Sequence, residues 1–173
     1  MREVYKKFFL MLGFTVLLCL SASIVWGETL DDLIKRDGIY YKKFKDVPYT
    51  GKIKGKGLIG VYQGSFKGGK MDGEWLYYRD DGNLWRKEFY AIGTKTEYWK
   101  EFSPNGNLRN HGHYKNDKRD GLWEQYFYNS TKLNFKGSFK DGKKEGKWII
   151  FDEAGKVRKE YTGIFKNGEK VSD

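Results

Sequence analysis

The strongest constraint on this chain is an internal repeat. The frame Gly73-x-Trp75-x-x-Tyr78-x-x-x-Gly82-x-Leu84 recurs as Gly121-x-Trp123-x-x-Tyr126 and as Gly146-x-Trp148-x-x-Phe151-x-x-x-Gly155-x-Val157. Glu97-x-Trp99-x-x-Phe102-x-x-x-Gly106-x-Leu108 follows the same frame with Glu in the first place, and a degenerate copy starts at Gly51 with Ile53 and Gly60 in register. The five starts, at 51, 73, 97, 121 and 146, lie 22 to 25 residues apart. A second half-motif, Gly-x-aromatic-Lys-x-Gly, accompanies them at Gly64–Gly69, Gly112–Asp117, Gly137–Gly142 and Gly163–Gly168. In the second unit Tyr90 and Gly93 hold these places, with Glu88 for the leading Gly. A period of this length means that each unit is one supersecondary element, which buries its apolar face only by stacking on its neighbours.

The residues of a unit specify a hairpin. Trp-rich runs such as Glu74-Trp75-Leu76-Tyr77-Tyr78 favour a strand. Asp81-Gly82, Asn105-Gly106 and Ala154-Gly155 then supply turns, the first two being strong hairpin dipeptides. In the second strand Leu84 and Tyr90, Leu108 and Tyr114, Leu133 and Phe139, and Val157 and Phe165 are evenly separated, so each pair shares one face. In the first strand Trp75 and Tyr78 are three apart, as are Trp123 and Tyr126. Either both faces carry aromatics or a bulge returns both to one face. The expected fold is all-β: an elongated, twisted antiparallel sheet of stacked hairpins, each adding roughly 10 Å along the stack. The composition agrees. Aromatic residues make up 18% of the chain, with 22 Gly and only 2 Pro, which suits a thin sheet covered by large flat side chains.

Residues 28–50 read as a capping segment ahead of the repeats at 51–173. Thr29-Leu30-Asp31-Asp32-Leu33 predicts a short helix with Thr29 as N-cap, leading to a strand over Gly38-Ile39-Tyr40-Tyr41 and a turn at Val47-Pro48-Tyr49-Thr50-Gly51. Residues 1–27 read as a signal peptide with a helical apolar segment. Arg2, Lys6 and Lys7 are basic, Phe8 to Leu20 is apolar, and Val25-Trp26-Gly27 puts a small residue before a cut at Glu28, with Ser21-Ala22-Ser23 as a second cut. The expectation is export to a periplasm or the exterior, or membrane anchoring if residues 8–26 stay attached. Cys19, the only cysteine, lies in this segment, which leaves no disulfide. Asn129-Ser130-Thr131 is a sequon for glycosylation in a eukaryotic secretory route.

The Gly-x-Trp-x-x-Tyr and aromatic-Lys-x-Gly-Lys halves resemble the MORN-variant repeat. Arg36-Asp37-Gly38-Ile39-Tyr40-Tyr41, followed by Val47-Pro48-Tyr49-Thr50-Gly51, is similar to the opening segment of bacterial proteins built from it, the YwqK-type antitoxin family of toxin–antitoxin modules. The resemblance spans residues 36 to about 170. It implies a hairpin scaffold and an antitoxin-like role, which an exported start would move to the periplasm or exterior as an immunity role.

Catalytic chemistry has little to build on. A nucleophile needs a neighbouring base, and the chain has only two His, His111 and His113. They alternate onto one strand face, two imidazoles where a metal site needs three or four ligands. Most carboxylates stand where turns place them, and no helix follows the glycine pairs for a phosphate to cap. No enzyme, cofactor or metal is expected.

Two features suggest contacts with a partner. Lys67, Lys115, Lys140 and Lys166, with Lys70, Lys118, Lys143, Lys144 and Lys170, recur at the turn between successive units and should form a ladder along one edge of a chain carrying a net charge of +10. Such a ladder serves an anionic partner, or protects the edge from aggregation. Trp75, Trp99, Trp123 and Trp148 recur at the repeat period, and most of them are expected in the core. Tyr77, Trp85 and Tyr128 fall off that frame and are candidate contacts for a partner. The functional expectation is a non-enzymatic protein–protein interaction module of antitoxin or immunity type, its partner a toxin-like or envelope protein. The alternative is an envelope structural or ligand-binding protein that contacts anionic lipid or polysaccharide. Nucleic acid suits the charge but not export.

Overall fold

The computed structural model describes residues 27–58 and 60–173. The expected signal peptide and alternative anchor fall outside the described residues, apart from Gly27. A single turn of 3₁₀ helix, Leu30–Asp32, precedes β1 (Leu33–Arg36), β2 (Ile39–Lys42), β3 (Gly51–Gly57), β4 (Gly60–Lys67), β5 (Lys70–Met71), β6 (Gly73–Tyr78), β7 (Leu84–Ala91), β8 (Thr94–Phe102), β9 (Leu108–Lys115), β10 (Lys118–Tyr126), β11 (Leu133–Lys140), β12 (Lys143–Ile150), β13 (Gly163–Lys166) and β14 (Glu169–Ser172). From β3 to β14 the strands form one long antiparallel sheet in chain order, with β5 pairing β4 beside β6. The stacked-hairpin architecture is the one the repeat implies.

The expected helix is shorter than its sequence signature. Only Leu30–Asp32 is helical, because the Asp32 carboxylate accepts both the Thr29 N–H and hydroxyl at 2.8 Å and closes one turn. Leu33 already belongs to β1 and is buried. β1 and β2 form a hairpin of their own around Asp37-Gly38, both at positive φ. The hairpin fastens to the large sheet where Gly69 N–H bonds the Tyr49 carbonyl (2.7 Å) and Tyr40 N–H bonds the Gly69 carbonyl (2.8 Å).

Two kinds of turn alternate. Turns that join units are two-residue turns with both residues at positive φ: Gly68-Gly69, Ile92-Gly93, Asn116-Asp117, Asp141-Gly142 and Asn167-Gly168. Turns within units differ from the two-residue form that Asp-Gly and Asn-Gly suggest. Gly82, Gly106, Asn129 and Gly155 take positive φ there, one to each turn, and a backbone bond such as Arg79 N–H to Asn83 O (2.8 Å) brackets a longer loop. The last unit also departs from its expected second strand. Val157 and Phe165 are eight apart, whereas the matching residues elsewhere are six apart. The surplus forms a turn through Arg158–Thr162, and the strand resumes only at Gly163.

Directly paired residues share a sheet face. Pairing therefore draws one transverse row across the sheet: Ile53 opposes Gly64, Trp75 opposes Glu88, Trp99 opposes Gly112, Gly112 opposes Trp123, Trp123 opposes Gly137, and Trp148 opposes Gly163. Tryptophan alternates with glycine for a steric reason. A Cβ on Gly64, Gly112 or Gly137 would stand 2.2–2.3 Å from the ring of Trp75, Trp123 or Trp148. The indole N–H of each of these tryptophans donates to the carbonyl just after its glycine: Ser65 (3.2 Å), His113 (3.0 Å) and Ser138 (2.9 Å). These three rings are 1–2% exposed in a sheet only one layer thick over most of its length. A parallel row of Phe66, Tyr90, Tyr114, Phe139 and Phe165 packs edge-on to them, for example Phe66 on Trp75 at 5.3 Å and Phe139 on Trp148 at 4.8 Å.

The bulge question also resolves. Tyr126 Oη donates to Glu124 (3.0 Å) and Tyr78 Oη accepts from Gln63 (3.4 Å), both residues of the opposite, outer face. Tryptophan thus faces inward and the tyrosine three residues later faces outward.

Candidate partner-binding surfaces

The inner aromatic face is closed differently along its length. Over the first units Leu30, Leu33, Tyr40 and Tyr49 lie on Phe66, Ile53, Tyr62 and Trp75 as a second layer. Farther on, cations take their place. Arg119 covers Trp123 and Phe139 (4.3 and 5.3 Å to the ring centres), and Lys144 covers Trp148 and Phe165 (4.6 and 4.7 Å).

Between these regions sits the one carboxylate of the seam. Glu88, 2% exposed, occupies a glycine place. Its Oε1 accepts from Lys95 Nζ (2.8 Å) and Trp99 Nε1 (3.1 Å), and its Oε2 from Tyr90 Oη (2.9 Å). Arg86 Nε lies 3.3 Å away, in ion-pair reach but not aligned to donate. Burial pushes the carboxyl up, but the Lys95 bond and the Arg86 and Lys95 charges outweigh it and hold Glu88 below its ordinary value. Burial and the Glu88 charge push Tyr77 up to about 12, and raise Tyr90 too. Trp99 is consequently half-buried, where its three counterparts are sealed. Three of the four repeat tryptophans are thus core residues, as expected for most of them, and Trp99 departs because its place over glycine is filled by a carboxylate. Repeat counting missed Glu88; the substitution of Glu for a frame glycine was the signal.

The candidate aromatics divide. Tyr77 lies on the inner face, half-buried, beside Trp75 (6.3 Å) and under Arg86 (4.5 Å). Trp85 is the extra residue of a bulge in β7, flanked by Arg79 (5.8 Å) and Arg86 (4.6 Å). Tyr128 is 60% exposed on a turn, with Arg109 at 5.3 Å. The structure brings Tyr77 and Trp85 together and leaves Tyr128 apart.

Lys67, Lys115, Lys140 and Lys166 are exposed at the ends of β4, β9, β11 and β13. They line the turn-bearing side of the sheet. The hydrogen-bonding edges are β3 and β14, so the lysines do not shield an edge as the sequence suggested. Lys67 opposes Lys70, Lys118 opposes Lys115 and Lys140 opposes Lys143 directly. Like charges so placed repel, and among the described residues none of the six has a carboxylate partner.

The outer face carries Phe89, Tyr98, His113, Leu122 and Ile164, with Tyr98 and Leu122 each 51% exposed. The Tyr98 and His113 rings meet at 3.8 Å, tilted by 48°, and His111 Nε2 lies 2.9 Å from Glu124 Oε2. On this face Glu74 is engaged by Lys87 and Glu124 by His111 and Tyr126, whereas Lys100, Lys136 and Lys147 have no carboxylate partner among the described residues. Among the described residues no group of three or more acidic, His or Cys side chains is placed to hold a metal ion, and no helix is long and apolar enough to cross a membrane.

A search among curated proteins returns no match. The family model described as MORN repeat variant matches residues 71–91, 98–116 and 144–164. The residues between the second and third stretches carry Trp123, seated over its glycine as Trp148 is. The chain is therefore a sheet of β-hairpin repeats in which three stretches match the MORN repeat variant.

Proposed function

We propose that this chain is an exported, non-enzymatic binding module that grips a protein partner with the outer face of its sheet, in the manner of an antitoxin or immunity protein. One observation carries the reading. Three of the four inner-face tryptophans of the repeat are sealed by neighbouring rings and cations, while the outer face leaves Tyr98 and Leu122 half-exposed among lysines that lack internal partners. An apolar centre bordered by unpaired lysines suits a partner with an acidic rim. The repeat supplies a rigid platform rather than a reaction centre.

The test is affinity capture from an envelope extract of the source cell, with the wild-type chain and with Tyr98→Asp/Leu122→Asp. One protein held by the wild type and released by the variant is the expected result. Immunity-type function further requires that the captured protein be harmful when expressed alone and harmless beside this chain. Equal capture by both baits would remove the outer face as the grip. N-terminal sequencing of the exported product checks the cut before Glu28.

A second reading rests on the opposed lysine pairs, which favour an anionic envelope polymer or lipid surface along the turn side. Retention on anionic vesicles or wall polymer that vanishes near ~1 M salt would support it. Retention unchanged by Lys115→Glu/Lys140→Glu would sink it.

A further inference from the structure

At the end of the sheet opposite the lysine turns, successive units carry the same bulge with a different surplus residue, Trp85 in β7, Arg109 in β9 and Asn134 in β11, and the binding-module reading does not use the first of them. Trp85 is the surplus residue of the β7 bulge, where Tyr77 opposes Arg86 and Tyr78 opposes Leu84. The bulge sets the indole beside a cleft of about 150 Å³ walled by Val61, Tyr62, Tyr77, Tyr78, Trp85 and Arg86. The volume accommodates one phenyl-sized group, and the walls are almost wholly ring and aliphatic surface.

The mouth of the cleft is cationic. Arg86 is clasped between Tyr77 (4.5 Å) and Trp85 (4.6 Å), which fixes its guanidinium in place. Its Nε faces Glu88 and its guanidinium also lies against the Tyr77 hydroxyl, so that donors of the fork remain for an incoming acceptor. The Trp85 indole N–H likewise has no acceptor among the described residues. Arg79 lies 5.8 Å from the Trp85 ring centre and spends one terminal nitrogen on the Phe102 carbonyl (2.6 Å). Glu88 is already shared with Lys95, Trp99 and Tyr90, so it does not neutralise Arg86 alone. A pre-oriented guanidinium with free donors, next to an indole N–H and an apolar slot, matches a carboxylate carried next to a flat apolar group.

We infer that the Trp85–Arg86 cleft is a recognition site for an aromatic or bulky apolar residue flanked by a carboxylate, supplied by an acidic segment of a protein partner. The apolar side chain enters between Tyr62 and Tyr77, and the carboxylate meets the Arg86 fork and the Trp85 N–H. The inference rests on the binding-module reading but concerns a site distinct from the outer face.

The test uses 3-phenylpropionate as the probe and its neutral amide as the control, followed by two-dimensional ¹⁵N NMR on the protein produced from the full chain. The Trp85 indole signal is assigned by its loss in Trp85→Phe. The carboxylate should shift that signal with a Kd on the order of millimolar, as a fragment of this size permits. The amide should bind at least about tenfold more weakly, the loss expected for a charge-assisted hydrogen bond. Arg86→Met and, should that variant lose its dispersed spectrum, Arg79→Met should weaken the carboxylate toward the amide, while Lys115→Ala should leave it unchanged. Equal binding of acid and amide, or an indole signal that neither moves, would overturn the inference. Either outcome alongside successful capture through Tyr98 and Leu122 would remove this cleft and leave the broader reading standing.

Discussion

Trp123 and Trp99 hold equivalent places in consecutive units, yet they are seated on opposite principles. Trp123 lies on Gly112, with no room for a Cβ beneath it, and its indole N–H bonds a main-chain carbonyl. Trp99 faces Glu88, and its indole N–H bonds a buried carboxylate that also holds Lys95 and Tyr90. The first seat is steric and neutral; the second is electrostatic. The same unit has a second departure, because Glu97 stands where other units have glycine and is held at φ 55°. The difference teaches that the repeat tolerates a charged side chain in its seam when the neighbouring strands supply enough donors to satisfy it.

The largest effect expected is at the steric seats. Gly112→Ala or Gly137→Ala should cost about 3 kcal/mol, since a new methyl group must displace a sealed indole, and urea denaturation will read it. At the electrostatic seat Glu88→Gln should cost about 2–3 kcal/mol by leaving Lys95 without its anion. The same variant should change the acid response. A carboxylate held below its ordinary value stabilises the fold above the unfolded value and loses that contribution as pH falls through the folded one. Wild type should therefore lose stability from about pH 4.5 downward more steeply than Glu88→Gln; parallel acid limbs would refute the assignment. Glu88→Gly should convert the second seat into the first, moving Trp99 Nε1 onto the Phe89 carbonyl, as a crystal structure of the variant would show.

Smaller effects follow at the margins of the same comparison. Arg119→Met removes the cationic lid from Trp123 and Phe139 and should cost about 0.5–1 kcal/mol. Glu97→Gly relieves a left-handed residue and should stabilise by up to about 1 kcal/mol, the gain being trimmed by the extra freedom of glycine in the unfolded chain. Thermal melting resolves both, and a destabilised Glu97→Gly would mean that the side chain itself is needed.

The hairpin array was legible because each strand obeys local rules, with aromatics at fixed offsets and glycine at the turns. The partnership of tryptophan with glycine was only half legible. Gly64, Gly112 and Gly137 stood out as repeat positions, but their closeness to Trp75, Trp123 and Trp148 depends on the register between strands, which the spacing leaves open. The Arg158–Thr162 turn was concealed behind an even separation, since parity does not count length. The lysines were found by type and misplaced by topology, as turns and edge strands carry similar residues. Trp85 was picked out for being off the frame; the bulge that gives it Arg79 and Arg86 as neighbours is a product of pairing.

The main seam also has a mechanical consequence. Its rings run across the strands, and the strands follow chain order, so β3 and β14 lie at opposite ends of the stack. Traction applied through those two strands would open the sheet rung by rung, as a zip, instead of shearing all rungs at once. Each yielding hairpin would release one more length of chain, about 24 residues to the step, and the sheet would behave under load as an extensible tether rather than a brittle plate.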